Sequence, residues 1–168
     1  MSLTIAPSSA EWPRLFLAHR DVLRDAFAPV AVDIEHIGST SVPGLAAKPV
    51  IDILVGAASL SDIESRIPAL VAAGFTYRPE HETALPMRRY FTLTPPGGLR
   101  VHVHAVECGS ALWREHLAFR DALRSDDALR DRYQALKFEL AQRHAHDKSA
   151  YTEAKGPFIR EVIALSGG

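Results

Sequence analysis

The chain has 168 residues but only one cysteine, Cys108. A single thiol cannot form an intramolecular disulfide, which excludes a disulfide-stapled fold and fits a reducing compartment. We therefore expect a cytoplasmic protein. Packing is the expected role of Cys108, and no Ser/His/Asp or Cys/His arrangement in the sequence indicates a nucleophilic enzyme.

Long hydrophobic runs and a strong net charge are also missing. No apolar stretch approaches the ~20 residues of a membrane helix, and the start, MSLTIAPSSAEWP, lacks the basic and apolar regions of a signal peptide. With 19 basic and 20 acidic residues the net charge is −1, so no global field attracts nucleic acid. The sequence predicts no membrane partner, gives no strong nucleic-acid signal beyond a local basic patch that stays open, and does not indicate the oligomeric state.

Hydrophobic periodicity indicates a mixture of helices and strands in the first half of the chain. Residues 9–27 are predicted to form a helix, and residues 30–56 two short strands around a small-residue loop. A second helix is predicted over residues 61–73, with Gly74 just after its end. The length suits one domain, residues 1–168.

The second half begins with a hairpin signal and becomes helical. Two β-rich runs, Arg89–Thr94 and Leu99–Val106, flank the turn sequence Pro-Pro-Gly-Gly. From Ser110 onward apolar residues recur at helical spacing, with a kink or restart expected at Gly156-Pro157. The pattern predicts an α+β fold with a central mixed or antiparallel sheet and helices at both ends.

The segment from Ile34 to Val55, IEHIGSTSVPGLAAKPVIDILV, carries the strongest functional signal. A Gly38-Ser39 turn leaving a strand offers N–H and hydroxyl donors to phosphate, and Thr40 and Ser41 add further hydroxyls. Asp52 lies within an apolar strand, where a carboxylate is costly unless it is paired or binds metal. The alternative is that loop N–H groups satisfy Asp52. The segment is not a Walker A loop, because its spacing differs and lysine is missing from the required place.

A second cluster is predicted on the strand Val101–Ala105. Alternate residues of a strand share a face, so His102 and His104 should point together, where they could share a metal or flank a phosphate. The alternative is an exposed face with two incidental histidines. His36 could join them or pack at the sheet edge. Basic residues that could neutralise phosphate, or be ordinary surface charges, are Lys48, Arg88, Arg89 and Lys155.

The run EHIGSTSVPGLAAKPVIDILV closely resembles the signature of the GrpB family. The resemblance continues through RRYFTL, VHVHAVECGSALWREHLAFRDALR, ALKFELAQR and AYTEAK, from about Trp12 to Val162. It implies a nucleotidyltransferase-like fold: a central mixed sheet of about five strands flanked by helices, with a helical C-terminal third. In that superfamily a Gly-Ser turn receives nucleotide phosphates, and strand carboxylates hold two magnesium ions.

Carried over by position, Gly38 and Ser39 match the Gly-Ser turn of that superfamily, and Asp52 matches its first metal-binding carboxylate. Leu54 stands where a second carboxylate is usual, and the strand expected to supply a third offers His102 and His104 instead. A histidine pair can act as general base or bind Mn²⁺ or Zn²⁺, but it lacks the negative charge that two Mg²⁺ ions require.

Three functions therefore stay open. The first is a metal-dependent nucleotidyltransferase-like protein that acts on a nucleoside triphosphate and an unknown small-molecule acceptor, with divalent Mg or Mn as cofactor and Zn as the alternative. The second is a non-catalytic module that binds a nucleotide or phosphorylated small molecule. The third is a metal-dependent hydrolase. The predicted catalytic and metal-binding residues are Asp52, His102 and His104; the predicted phosphate-binding residues are Gly38, Ser39, Thr40, Ser41, Lys48 and Arg89.

Overall fold

The computed structural model describes residues 4–167, which contain a five-stranded mixed sheet with the strand order β1-β2-β5-β4-β3. The β2 and β5 strands pair in parallel, and the other neighbours are antiparallel. This confirms the predicted α+β class and the mixed sheet. The strands are β1 Asp33–Ile37, β2 Val50–Ala57, β3 Thr76–Tyr77, β4 Arg88–Leu93 and β5 Arg100–Glu107.

Helices cover both faces of the sheet. The first helix precedes β1, two short helices follow β2, and the last three follow β5 in succession. None of the helices within residues 4–167 combines the length and apolar character needed to cross a membrane. The helices are α1 Glu11–Phe27, α2 Leu60–Ser65, α3 Ile67–Ala72, α4 Ala111–Ser125, α5 Asp127–Arg143 and α6 Lys148–Leu165, with 3₁₀ turns at Ser39–Ser41 and Pro79–Glu82.

Strand alternation gives the sheet two different faces. The core face is fully buried against α1, α2 and α3 and includes Ile51, Ile53 and Val103. The opposite face carries Asp52 and His102, which are register partners in the parallel β2–β5 pair. Since side chains two apart share a face, His104 lies on the same side as His102, as the sequence predicted.

One predicted helix is divided in the structure, and a proline explains the division. The single helix predicted over residues 61–73 is two helices divided at Arg66. Pro68, in the first turn of α3, has no N–H to donate to the preceding helix. Pro157, in contrast, lies inside α6 without dividing it, so of the kink or restart expected at Gly156-Pro157 the restart does not occur.

The loop between β1 and β2 is held by side chains from the C-terminal helices. Arg120 of α4 donates to the carbonyl of His36 at 3.1 Å, and Arg124 donates to that of Ser41 at 2.9 Å. Lys137 of α5 donates to the carbonyl of Ala46 at 2.5 Å. The carbonyl groups of Ser41 and Ala46 gain partners in this way, and the three bonds tie the end of β1 and the loop to helices α4 and α5.

Candidate functional site

Gly38 allows the loop to approach the carboxylate of Asp52 closely. Its φ of +74° is in the left-handed region, which glycine adopts at little cost. A Cβ at this position would lie 2.7 Å from Asp52 Oδ2. Asp52 is the register neighbour of Ile37, the last residue of β1. The predicted Gly-Ser turn and the strand carboxylate therefore lie in direct contact.

Asp52 also accepts hydrogen bonds from both predicted histidines. Its Oδ1 lies 3.4 Å from His102 Nδ1 and 3.2 Å from His104 Nε2. Burial opposes ionisation of Asp52, but the hydrogen bonds from the two histidines together outweigh burial and hold the pKa of this carboxyl well below its usual range. The site therefore contains a carboxylate that stays ionised at neutral pH.

Arginine partners determine which histidine nitrogens carry protons. Arg88 Nη1 lies 3.1 Å from His104 Nδ1, and Arg100 Nε lies 3.0 Å from His102 Nε2. Because arginine only donates, each of these ring nitrogens must accept. The ring proton is then on the nitrogen that faces Asp52, and all four ring nitrogens have a partner. In this arrangement the histidines donate to the carboxylate and present no free lone pair to a metal.

A cavity of about 300 Å³ opens beside Asp52, and all four lysines of the chain line it. We call it the lysine cavity. Lys48 follows the β1–β2 loop, Lys137 comes from α5, and Lys148 and Lys155 lie two turns apart on α6. Ser39, Thr40, Val50, His102, Tyr151 and Thr152 complete its lining. The lysine cavity thus brings four lysine side chains together around one carboxylate.

The crowding of these lysines changes their acidity. Burial lowers the pKa of Lys48 to about 8, and the neighbouring Lys148 adds to the effect. Burial lowers the pKa of Lys137 to about 7, with a further contribution from Lys155. Burial also lowers the pKa of Lys155, against the attraction of Asp52. The free protein thus holds these cations at an energetic cost, which a bound anion would relieve.

A second cavity, of about 530 Å³, adjoins the first and is mostly apolar. We call it the apolar cavity. It lies between the sheet and helices α4 and α6, and its walls include Leu112, Phe119 and Ile163. Burial lowers the pKa of His116 in this wall to about 4, with His104 adding to the effect, so His116 is neutral at pH 7. Both cavities are lined by Ser39, Asp52, Thr152 and Lys155.

Some of the predicted site residues lie outside both cavities, and others already contact other groups of the protein. Arg89 is on the other side of β4, where Nη2 lies 3.5 Å from Glu64 Oε1, and it lines neither cavity. Arg88, one residue earlier, faces the apolar cavity instead. The hydroxyl of Ser41 donates to the carbonyl of Gly38 at 2.5 Å. His36 stacks on Phe16 of α1 and does not join the histidine pair.

Thr40 lines the lysine cavity, but its hydroxyl has partners within the protein. It donates to the carbonyl of Val50 at 3.1 Å and lies 3.0 Å from His36 Nε2. Its hydroxyl therefore positions the loop. Ser39 is the one predicted hydroxyl residue that lines both cavities.

Sequence reasoning missed Lys137 and Lys148. Each was part of a helix rich in alternating charges, which is typical of a solvated surface. One signal for these residues was present in the sequence, because lysine is rare in it. Only four of the 19 basic residues are lysine, and the rest are arginine. In contrast to that surface pattern, Lys137 is only 2% exposed.

Within residues 4–167, no group of three or more His, Cys, Asp or Glu side chains has an arrangement that could hold a metal ion. Leu54, at the place of the second carboxylate, is fully buried against Ile37 and Val106. The residues present therefore do not fit a centre of two magnesium ions, which needs several carboxylate oxygens.

Comparison with known proteins identifies the fold and its relatives. A family model described as GrpB protein matches residues 2–164. UPF0157 protein SCO7215 from Streptomyces coelicolor is 38% identical over 170 residues, covering 99% of this chain and 86% of that protein. The crystal structure of conserved protein GrpB from Enterococcus faecalis has a TM-score of 0.86 and 32% identity, covering 97% and 96% of the two chains.

A more distant structural neighbour is a nucleotidyltransferase. Cid1 poly(U) polymerase, in its Mg 3′-dATP-bound crystal structure, has a TM-score of 0.58 and 16% identity, covering 89% of this chain and 49% of that one. Identity this low shows a common fold and nothing finer. The nucleotidyltransferase-like fold expected from the resemblance is confirmed.

Proposed function

Because this chain belongs to the GrpB family and has a nucleotidyltransferase-like fold, we propose that it binds a nucleoside triphosphate. The observation that carries this proposal is the junction of the two cavities at Ser39 and Asp52. The phosphates would occupy the lysine cavity, where Lys48, Lys137 and Lys155 offer complementary charge. The base and sugar would extend into the apolar cavity.

The apolar cavity suits the organic part of a nucleotide. Ligand pockets combine an apolar lining with a few polar groups that fix orientation. Phe119 and Tyr133 supply aromatic surface, and Arg88, His116 and Glu115 supply polar groups along the same wall. The volume of about 530 Å³ lies within the usual range of ~300–1,000 Å³ for such pockets.

Calorimetric titration with ATP, GTP, CTP and UTP tests the proposal, with Ile163→Phe as the informative variant. A phenylalanine would fill part of the apolar cavity, so nucleotide affinity should fall at least roughly tenfold, whereas affinity for inorganic tripolyphosphate should not change. Leu165→Phe, 81% exposed on the same helix, is the matched control. If none of the four nucleotides binds the unmodified protein, the proposal is wrong.

Nucleotidyl transfer is a second candidate, favoured by the contact between Gly38 and the ionised Asp52. In this role Asp52 would orient the hydroxyl of an added acceptor by accepting its hydrogen bond; the hydroxyl oxygen would bond to the α-phosphorus as the bond to pyrophosphate breaks, and the proton would pass to solvent because the lowered pKa of Asp52 makes it a weak base. The expected result is pyrophosphate release from a nucleoside triphosphate, lost in Asp52→Asn while nucleotide binding remains. Release that is equal in both proteins would contradict a role for Asp52.

The metal prediction for Asp52, His102 and His104 stays a prediction, and so does the hydrolase that depends on it. A metal would have to replace the hydrogen bonds from both histidines to Asp52. Equilibrium dialysis of the purified protein against Mn²⁺ and Zn²⁺ tests this. Stoichiometric binding that is lost in His104→Gln would support the hydrolase.

A further inference from the structure

We propose that the lysines of the lysine cavity, rather than divalent ions, neutralise the phosphate chain of the ligand. This inference rests on the proposed function, because it concerns how a phosphorylated ligand is held at the same site. Within the described residues that line the lysine cavity, Asp52 is the sole carboxylate. A pair of magnesium ions has too few oxygen ligands here.

The surroundings of Asp52 strengthen this conclusion. Its Oδ1 already accepts from His102 and His104, at 3.4 and 3.2 Å. The next residue of β2 on the same face, Leu54, is fully buried and apolar. An ion at Asp52 would therefore have one free carboxylate oxygen from the protein, Oδ2, which faces Gly38.

The lysines supply the positive charge that metal ions would otherwise bring to the phosphates. They come from three separate parts of the chain and line a cavity of about 300 Å³. Like charges held together destabilise the free protein, and Lys137 is almost fully buried. The other basic residues of the chain are arginines, which lie outside this cavity. We therefore infer that the cluster is built for a flexible polyanion.

The two modes of binding respond to magnesium in opposite directions. Mg²⁺ binds the oxygens of a triphosphate and removes part of its negative charge, which weakens attraction to ammonium groups. If carboxylate-bound metal held the phosphates, adding Mg²⁺ would instead strengthen binding. The direction of the change therefore distinguishes the two modes.

The experiment titrates the full chain with inorganic tripolyphosphate and with ATP, GTP, CTP and UTP, each in EDTA and in Mg²⁺. We expect binding in EDTA that Mg²⁺ weakens. Lys155→Met should weaken it roughly 10- to 100-fold, and Lys155→Arg should restore most of the affinity. Arg14→Met, an exposed change on α1, should have no effect, and thermal midpoints confirm that each variant folds.

Binding of a nucleotide only in the presence of Mg²⁺ overturns this inference and leaves the proposed nucleotide binding intact. Binding of tripolyphosphate in EDTA without binding of any nucleotide supports the lysine mode but overturns the nucleotide proposal. If neither kind of ligand binds under either condition, both proposals are wrong. Equal affinities of Lys155→Met and the unmodified protein also overturn the lysine mode.

Discussion

At the scale of single residues, the site depends on a missing side chain. Gly38 has a φ of +74°. Any other residue here would place its Cβ 2.7 Å from Asp52 Oδ2, whereas glycine has only a hydrogen at that point. Asp52 cannot easily move away, because two histidines donate to its other oxygen. The contact between turn and carboxylate is therefore a consequence of glycine at this one position.

Gly38→Ala should destabilise the protein and Gly109→Ala should do so less. Both glycines have positive φ, +74° and +78°, but nothing lies within 4 Å of a Cβ at Gly109. Backbone strain is common to both changes, while the clash with Asp52 belongs to Gly38 alone. We expect losses of about 2–4 kcal/mol at Gly38 and about 1–2 kcal/mol at Gly109, measured by urea unfolding. Equal losses of unfolding free energy in the two variants would show that Asp52 moves away from the new Cβ without destabilising the protein.

At the scale of elements, α6 presents one face to the site. Lys148, Tyr151 and Lys155 follow helical spacing and line the lysine cavity. Farther along, Ile159 and Ile163 continue the same face into the apolar cavity. The helix achieves this although Pro157 lies in its interior, where a proline removes a hydrogen bond and crowds the preceding turn.

Pro157→Ala should stabilise the protein by about 1–3 kcal/mol, because it restores an N–H donor to the helix interior. Pro68→Ala is the matched control. Pro68 lies in the first turn of α3, where the N–H has no intrahelical partner, so no comparable gain is expected. Urea unfolding measures both changes. A loss of stability in Pro157→Ala would contradict the prediction.

At the scale of the whole molecule, charge is distributed unevenly. The net charge is −1, yet all the lysines face one cavity. The total therefore says nothing about the local field that a ligand would meet. Because burial lowers the pKa of Lys137 to about 7 and that of Lys48 to about 8, the cluster is partly deprotonated near neutral pH.

Binding of tripolyphosphate should therefore take up protons. A bound anion raises the pKa of Lys48 and Lys137, so affinity should increase as the pH falls from 9 to 7.5. Tripolyphosphate also loses its last proton in this range, so the uptake that belongs to Lys48 is the difference between the unmodified protein and Lys48→Met. Calorimetry in Tris and in HEPES, which differ in ionisation enthalpy, measures the uptake. It should decrease in Lys48→Met. Identical enthalpies in both buffers would contradict the prediction.

Much of the fold and half of the site follow from neighbours in the sequence. Strand alternation predicts that His102 and His104 share a face, and the short distance from Ser39 to Asp52 predicts a turn beside a carboxylate. The choice between Arg88 and Arg89 depends on which face of β4 meets the core. Sequence reasoning selected Arg89, but the pairing of β4 with β5 turns Arg88 towards the apolar cavity.

By itself the sequence determined the α+β class, the Gly38-Ser39 turn, Asp52 on the adjoining strand and the absence of a second carboxylate at Leu54. These features depend on local spacing and on residue identity. Only the tertiary structure decided that Lys48, Lys137 and Lys155 meet in one cavity. The physical reason is that helices α5 and α6 pack against the β1–β2 loop through long-range apolar and hydrogen-bond contacts, which no local periodicity encodes.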